Sequence, residues 1–154
     1  MNLIENRLNT ILEKILVVIL GVMVINVSWQ VFSRYVLANP SSFTDELARY
    51  LMIWLGVMGT AYVSRKKLHV AIDILPDKLS PKRQVKLKKI INLIIILFAT
   101  LIFVVGGSKL VYLSYILGQK SAALQIPLYV VYFCIPLSGL CIVFFKMCDL
   151  KKTS

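Results

Sequence analysis

The stretch ILVVILGVMVINVSWQVFS, Ile15 to Ser33, runs for 19 residues without a charge. At 1.5 Å rise per residue, about 19 helical residues cover roughly 28 Å, close to the hydrocarbon thickness of a bilayer, about 30 Å. Ile90 to Ser108 repeats that length, and Ser121 to Phe145 runs 25 residues uncharged. A fourth stretch, Tyr50 to Ser64, holds only 15 uncharged residues, but Leu47 and Ala48 extend it across Arg49 to about one bilayer's length. The fold class these runs predict is all-α integral membrane, a single four-helix domain over residues 1–154. The expected spans lie at about 12–37, 44–64, 81–118 and 127–148.

Composition agrees. The chain has 154 residues, 18 Lys+Arg against 7 Asp+Glu, and a net charge of +11, yet 58% of it is hydrophobic. Its mean hydropathy is +0.80. A basic nucleic-acid binder spreads its cations over a hydrated surface and does not reach such hydrophobicity, so no nucleic-acid partner is expected. A soluble globular enzyme, a disordered tail and a disulfide-stapled secreted domain are excluded on the same ground.

The positive charge is first a topology signal. Arg7 and Lys14, nine basic residues between Arg65 and Lys89, and Lys146, Lys151 and Lys152 make 14 of the 18 cations. Under the positive-inside rule, both termini and the central connector are cytoplasmic, and the loops near Ala38 to Phe43 and Gly118 to Ile126 face outward. Val36-Leu37-Ala38 superficially fits a signal-peptide cleavage site, but the preceding apolar run is too long and Arg34 and Tyr35 interrupt its end, so no cleavage is expected.

Ser80-Pro81 marks a helix start, with a hydroxyl at the capping position and proline where its missing N–H costs nothing. The apolar pattern then continues to about Leu117, longer than a bilayer is thick. The first turns, carrying Lys82, Arg83, Lys86, Lys88 and Lys89, therefore project into the cytoplasm or lie against anionic phospholipid headgroups. Between the second and third helices, Arg65 to Leu79 is expected to form an interfacial amphipathic segment ended by Pro76.

Polar residues inside and beside the spans are the candidate functional groups. Asn26, Gln30 and Arg34 recur at i, i+4 and i+8, a polar stripe expected to point into protein rather than lipid. Asp45, Glu46 and Arg49 open the second helix; Ser42 or Thr44 suits its N-cap, and Arg49 has both acids within pairing distance. Gly56, Thr60 and Ser64 form a small-residue ridge that lets another helix approach. These nine residues are assigned to a partner interface or a structural polar cluster. His69 and Asp73, four apart, form an interfacial pair that would hold its segment in place, or less simply relay a proton.

Several features argue against chemistry. One histidine makes no bis-His haem site, and Cys134, Cys141 and Cys148, seven apart, are too distant for a disulfide within a helix and read as packing residues. No metal site, P-loop, dinucleotide motif, HExxH or GxSxG is present, and Ile15 to Ser33 lacks the carboxylate expected of a small proton-coupled exporter. Pro127 is expected to begin the last helix and Pro136, which frees the carbonyl of Tyr132, to kink it. Neither an enzyme nor a cofactor is expected.

The run Arg34-Tyr35-Val36, Asn39-Pro40, Thr44 to Leu51, Gly59, His69-Val70, Asp73 and Leu75 resembles the small membrane subunit of tripartite ATP-independent periplasmic (TRAP) transporters. Ala123-Leu124, Ile126-Pro127, Tyr132, Ile135-Pro136 and Gly139 resemble its last helix, so the likeness covers about Leu8 to Phe145. Phe43 stands where such proteins commonly carry Trp, and keeps the aromatic bulk. The resemblance implies a non-catalytic scaffold in the bacterial inner membrane, bound to a large multi-helix subunit that carries the substrate and sodium sites. A periplasmic binding protein would deliver an organic acid, with sialic acid a weak preference. A self-sufficient homo-oligomeric channel or exporter, its pathway lined by Asn26, Gln30 and Arg34, is the alternative; a membrane redox enzyme using His69 or the cysteines is a distant third.

Overall fold

The computed structural model describes residues 2–37, 41–66 and 81–153, and all of the regular structure among them is helical. Helix α1 spans Asn2–Tyr35 and α2 spans Ser42–Lys66. Helix α3, Pro81–Phe98, passes into a π-helical segment, Ala99–Gly106, and on into α4, Gly107–Ile116. A short α5, Leu128–Tyr132, precedes α6, Cys134–Thr153. The expected interfacial segment, with its His69–Asp73 pair, lies outside the described residues.

Among the described residues, three helices are long and apolar enough to cross a membrane: Glu5–Tyr35, Arg83–Ile116 and Leu128–Lys151. Helix α2 forms over the whole predicted span but is not among them, because Arg49, its glycines and its hydroxyl residues dilute a short apolar run. It lies instead against α1 and α6, where Met58, Ala61 and Ser64 are buried.

The core draws on every long element. Leu12 of α1, Met58 and Ala61 of α2, Ala99 of the π segment and Cys134, Ile142 and Phe145 of α6 form one buried cluster. Burying each large side chain there contributes about 1.5–3 kcal/mol where water is the reference; against lipid, close packing supplies the gain instead. The Leu128–Lys151 span is 39% enclosed and Glu5–Tyr35 only 6%, so α6 is the axis of the fold and α1 lies at its edge. None of the three cysteines forms a disulfide; Cys134 and Cys148 are buried and Cys141 partly so.

Two glycines set the distance between the third rod and α6. A Cβ at Gly139 would stand 2.6 Å from Cβ of Phe103, and one at Gly107 would stand 2.8 Å from Cγ2 of Ile135. The π turn was not foreseen. Its N–H to C=O bonds reach five residues back, as from Gly107 to Ile102, and the wider turn is what brings Phe103 against Gly139. Helix α6 accepts that contact just past an interruption at Phe133, three residues before Pro136.

The connections are shaped by backbone chemistry. Gly118, at φ +57°, closes α4: its N–H donates to the Tyr115 carbonyl at 3.1 Å and the Gln119 N–H donates to Ser114 at 3.2 Å, a Schellman motif. The N–H of Ser121 then donates to the Ile126 carbonyl (2.9 Å) and that of Leu128 to Gln119 (3.0 Å), with Gln125 turned into the left-handed region at φ 55°. Pro127, extended at ψ 125°, starts α5 as expected.

Gly139→Ala should destabilise the isolated chain by about 1–3 kcal/mol, the usual cost of overpacking. Gly56→Ala, whose added Cβ meets nothing within 4 Å, should leave the midpoint unchanged or slightly raised. Thermal unfolding of the two variants in one detergent compares them directly.

Candidate functional site

The polar residues of α1 and α2 meet where the two helices join. Asn26 is buried, and its amide donates to the Thr44 carbonyl at 2.7 Å. One turn on, Gln30 donates to Oδ1 of Asp45 at 3.0 Å. Arg49 donates to Oδ2 of the same carboxylate at 2.6 Å, so of its two possible partners it takes Asp45. Asp45 is thereby bridged between helices. The ion pair itself is well exposed, and such pairs contribute about 0–1 kcal/mol.

Glu46 points the other way and closes the structure over a long sequence distance. The N–H of Ala122 donates to its Oε1 at 3.0 Å, and those of Ala123 and Leu124 donate to its Oε2 at 2.8 and 2.9 Å. The Tyr50 hydroxyl donates to Oε1 at 3.0 Å. Successive N–H groups converging on one anion form a backbone nest, a concavity of positive potential. Ser121 is buried at its edge, and its hydroxyl accepts the Leu124 N–H at 3.3 Å. Small side chains at Ala122 and Ala123 leave the backbone open to the carboxylate.

These donors stabilise the ionised carboxylate. Glu46 lies in the first turns of α2, outside the apolar run, and its pKa is held down to about 2 by the Ser121 hydroxyl first, then by the Leu124 and Ala123 N–H groups and by Tyr50, against an opposing effect of burial.

The folded chain adds detail to the sequence reading at three points. Arg34 is exposed while Asn26 is buried and Gln30 partly buried, since residues eight apart on a helix are rotated by about 80°, and Ser33 takes the buried position in that turn. Ser42 is already helical and Thr44 donates its hydroxyl to the Ser41 carbonyl at 2.9 Å, so the capping position falls on Ser41. In the small-residue ridge, Gly56 and Thr60 are exposed while Ser64 is buried, since residues eight apart on a helix are rotated by about 80°.

Other assigned residues lie elsewhere. Arg83, Lys86 and Lys88 are exposed on the first turns of α3, Lys89 is half-buried, and the side chain of Lys82 is not among those described. At the same end of the helices the structure buries Glu5, Lys146 and Asp149, where Lys146 was expected to be a tail cation. Among the described residues no His, Cys, Asp and Glu group could hold a metal ion.

Residues 23–153 match the family model described as "Tripartite ATP-independent periplasmic transporters, DctQ component". The chain belongs to this family. It is 33% identical over 102 residues to a putative TRAP transporter small permease protein of Haemophilus influenzae, covering 66% of this chain and 63% of that one. It is 27% identical over 106 residues to the sialic acid TRAP transporter small permease protein SiaQ of Vibrio cholerae, covering 69% and 61%. A third likeness, 36% over 53 residues, is to the sialic acid TRAP transporter permease protein SiaT of H. influenzae, covering 34% of this chain but 9% of that one. The matched part spans about three-fifths of the two small permease relatives' length.

For a DctQ-family protein, then, the acidic pair at the head of α2 has divided roles: Asp45 ties α1 to α2, and Glu46 ties α2 to the loop before α5. The nest could not be read beforehand, because Glu46 and Ala123 are 77 positions apart and nothing in one sequence pairs them.

Glu46→Gln should lower the unfolding midpoint more than Arg49→Gln, which removes only an exposed pair. The pKa of Glu46 is depressed on folding, from 4.5 to about 2, so its stabilisation is complete above about pH 4.5 and disappears as pH falls through about 2. The midpoint difference between wild type and Glu46→Gln should therefore shrink over that interval, as followed by unfolding in detergent buffers of decreasing pH.

Proposed function

We propose that the chain is the non-catalytic small membrane subunit of a TRAP secondary transporter, a scaffold for a large multi-helix transport subunit in the bacterial inner membrane. Four helices cross, α2 shielded by its neighbours, with both termini and the 65–80 connector on the cytoplasmic side. Sodium coupling and substrate selection belong to the large subunit, and a periplasmic binding protein delivers an organic acid. Sialic acid is the first substrate to test, since two relatives carry it in their names.

The observation that carries this reading is the direction of the polar groups. Asn26, Gln30, Asp45 and Glu46 are engaged with one another or with the backbone of this same chain, and so hold helices together rather than line a pathway. Long exposed apolar faces on α1 and on the third rod remain for lipid and partner. A larger partner is supported by the SiaT likeness: a stretch similar to this chain occupies a small part of a much longer permease there.

Affinity purification of the tagged full chain from its native membrane in mild detergent should recover a large permease subunit in fixed stoichiometry. A chain that purifies alone as a defined homo-oligomer and supports solute flux in liposomes would overturn the reading in favour of a channel or exporter. Gly56→Leu, on an exposed face with open space around it, should leave the unfolding midpoint of the isolated chain unchanged while reducing the recovered partner several-fold. Undiminished recovery would remove the Gly56 and Thr60 face from the interface.

A further inference from the structure

Helix α3 carries, on one side, a sequence of groups that changes from cationic to apolar along its length. Arg83 and Lys86 are exposed and stand three apart, hence on neighbouring positions of one face. Ile90, Leu93, Ile94, Leu97 and Leu101 follow on that face, each between 46% and 62% exposed. Between them runs an open groove of about 330 Å³ lined by Leu93, Ile94, Ile96, Leu97, Thr100 and Leu101, with Thr100 its one hydroxyl-bearing residue.

We infer that this face binds an anionic phospholipid, its phosphate against Arg83 and Lys86 and one acyl chain along the Leu93–Leu101 groove. The lengths agree. From Leu93 to Leu101 the groove is about 12 Å long at 1.5 Å per residue, within the roughly 15 Å of hydrocarbon that one leaflet contributes. Charge agrees as well, since the first turn of α3 has no acidic residue to neutralise the two cations. A cation at the headgroup level above a groove lined by aliphatic side chains but for Thr100 is complementary to a molecule with one anion and a long chain. A protein helix seated here would have to supply both an acidic end and an uninterrupted apolar stripe at the same spacing. The inference deepens the anionic inner-surface reading of the sequence and rests only on the chain crossing a membrane, not on its being a transporter subunit.

The test uses the purified full chain in mild detergent, titrated with phosphatidylglycerol or with phosphatidylcholine of the same acyl composition, and counts retained lipid by native mass spectrometry. Wild type should retain phosphatidylglycerol preferentially. Arg83→Gln with Lys86→Gln should reduce that preference by about tenfold or more, as expected from roughly 1 kcal/mol per cation near an anionic surface. Lys14→Gln with Lys151→Gln, the same charge change at exposed positions on other helices, should leave it intact. Leu97→Trp, which fills the groove without altering charge, should reduce retention of both lipids. Equal retention of the two lipids by wild type, or unchanged retention in the Arg83/Lys86 and Leu97 variants, would overturn the site. So would loss of a co-purified protein from Leu97→Trp with lipid retention unaffected, which would give the groove to that protein. Failure of the transporter reading would show instead as absence of any large permease in the native-membrane preparation, with this lipid preference unaltered.

Discussion

The carboxylate of Glu46 sits where two separately connected pairs of helices come together. Helices α1 and α2 are joined by a short connection and α4 and α5 by another, and each pair can form from its own apolar runs. What orients one relative to the other at this end is three backbone N–H groups from residues 122 to 124 converging on a single side chain 76 to 78 positions earlier. A peptide N–H in a loop near lipid needs an acceptor, and a carboxylate placed in a nest supplies one to each group. The Schellman closure at Gly118 and the turn at Gln125 present those N–H groups on the same side, so the loop geometry and the acid are parts of one device.

Between the packed apolar helices the constraint is different. Lipid is as apolar as leucine, so helices gain little from merely being hydrophobic and associate where their backbones fit closely. The glycines at 107 and 139 allow that fit between the third rod and α6, and the π turn adjusts the rod so that Phe103 meets Gly139 without a side chain between. The small-residue ridge on α2 does not serve this purpose within the chain: Gly56 faces open space. Close packing inside and open small residues outside are what a subunit that pairs with another membrane protein requires.

Membership in the DctQ family and the internal engagement of the polar groups point the same way. A transport pathway needs polar groups that face an aqueous or substrate-filled space. Here Asn26, Gln30, Asp45 and Glu46 face helices and loops of their own chain, whereas the exposed cations on α3 adjoin an aliphatic groove. The first set fixes the shape of the chain.

The long uncharged runs and the cation distribution by themselves determined the class, the helical segments and the basic end, because the energetic demand of lipid on backbone polar groups admits few solutions and is written locally in composition. The residues quoted for the family likeness made the family legible for the same reason: they are short, contiguous patterns. Only the tertiary structure decided that Arg49 pairs with Asp45, that Glu46 closes the distant loop, that Arg34 leaves the polar stripe, and that Lys146 is buried. Each of these depends on which face of a helix meets which neighbour across many positions of sequence, and a single chain's periodicity fixes faces but not partners.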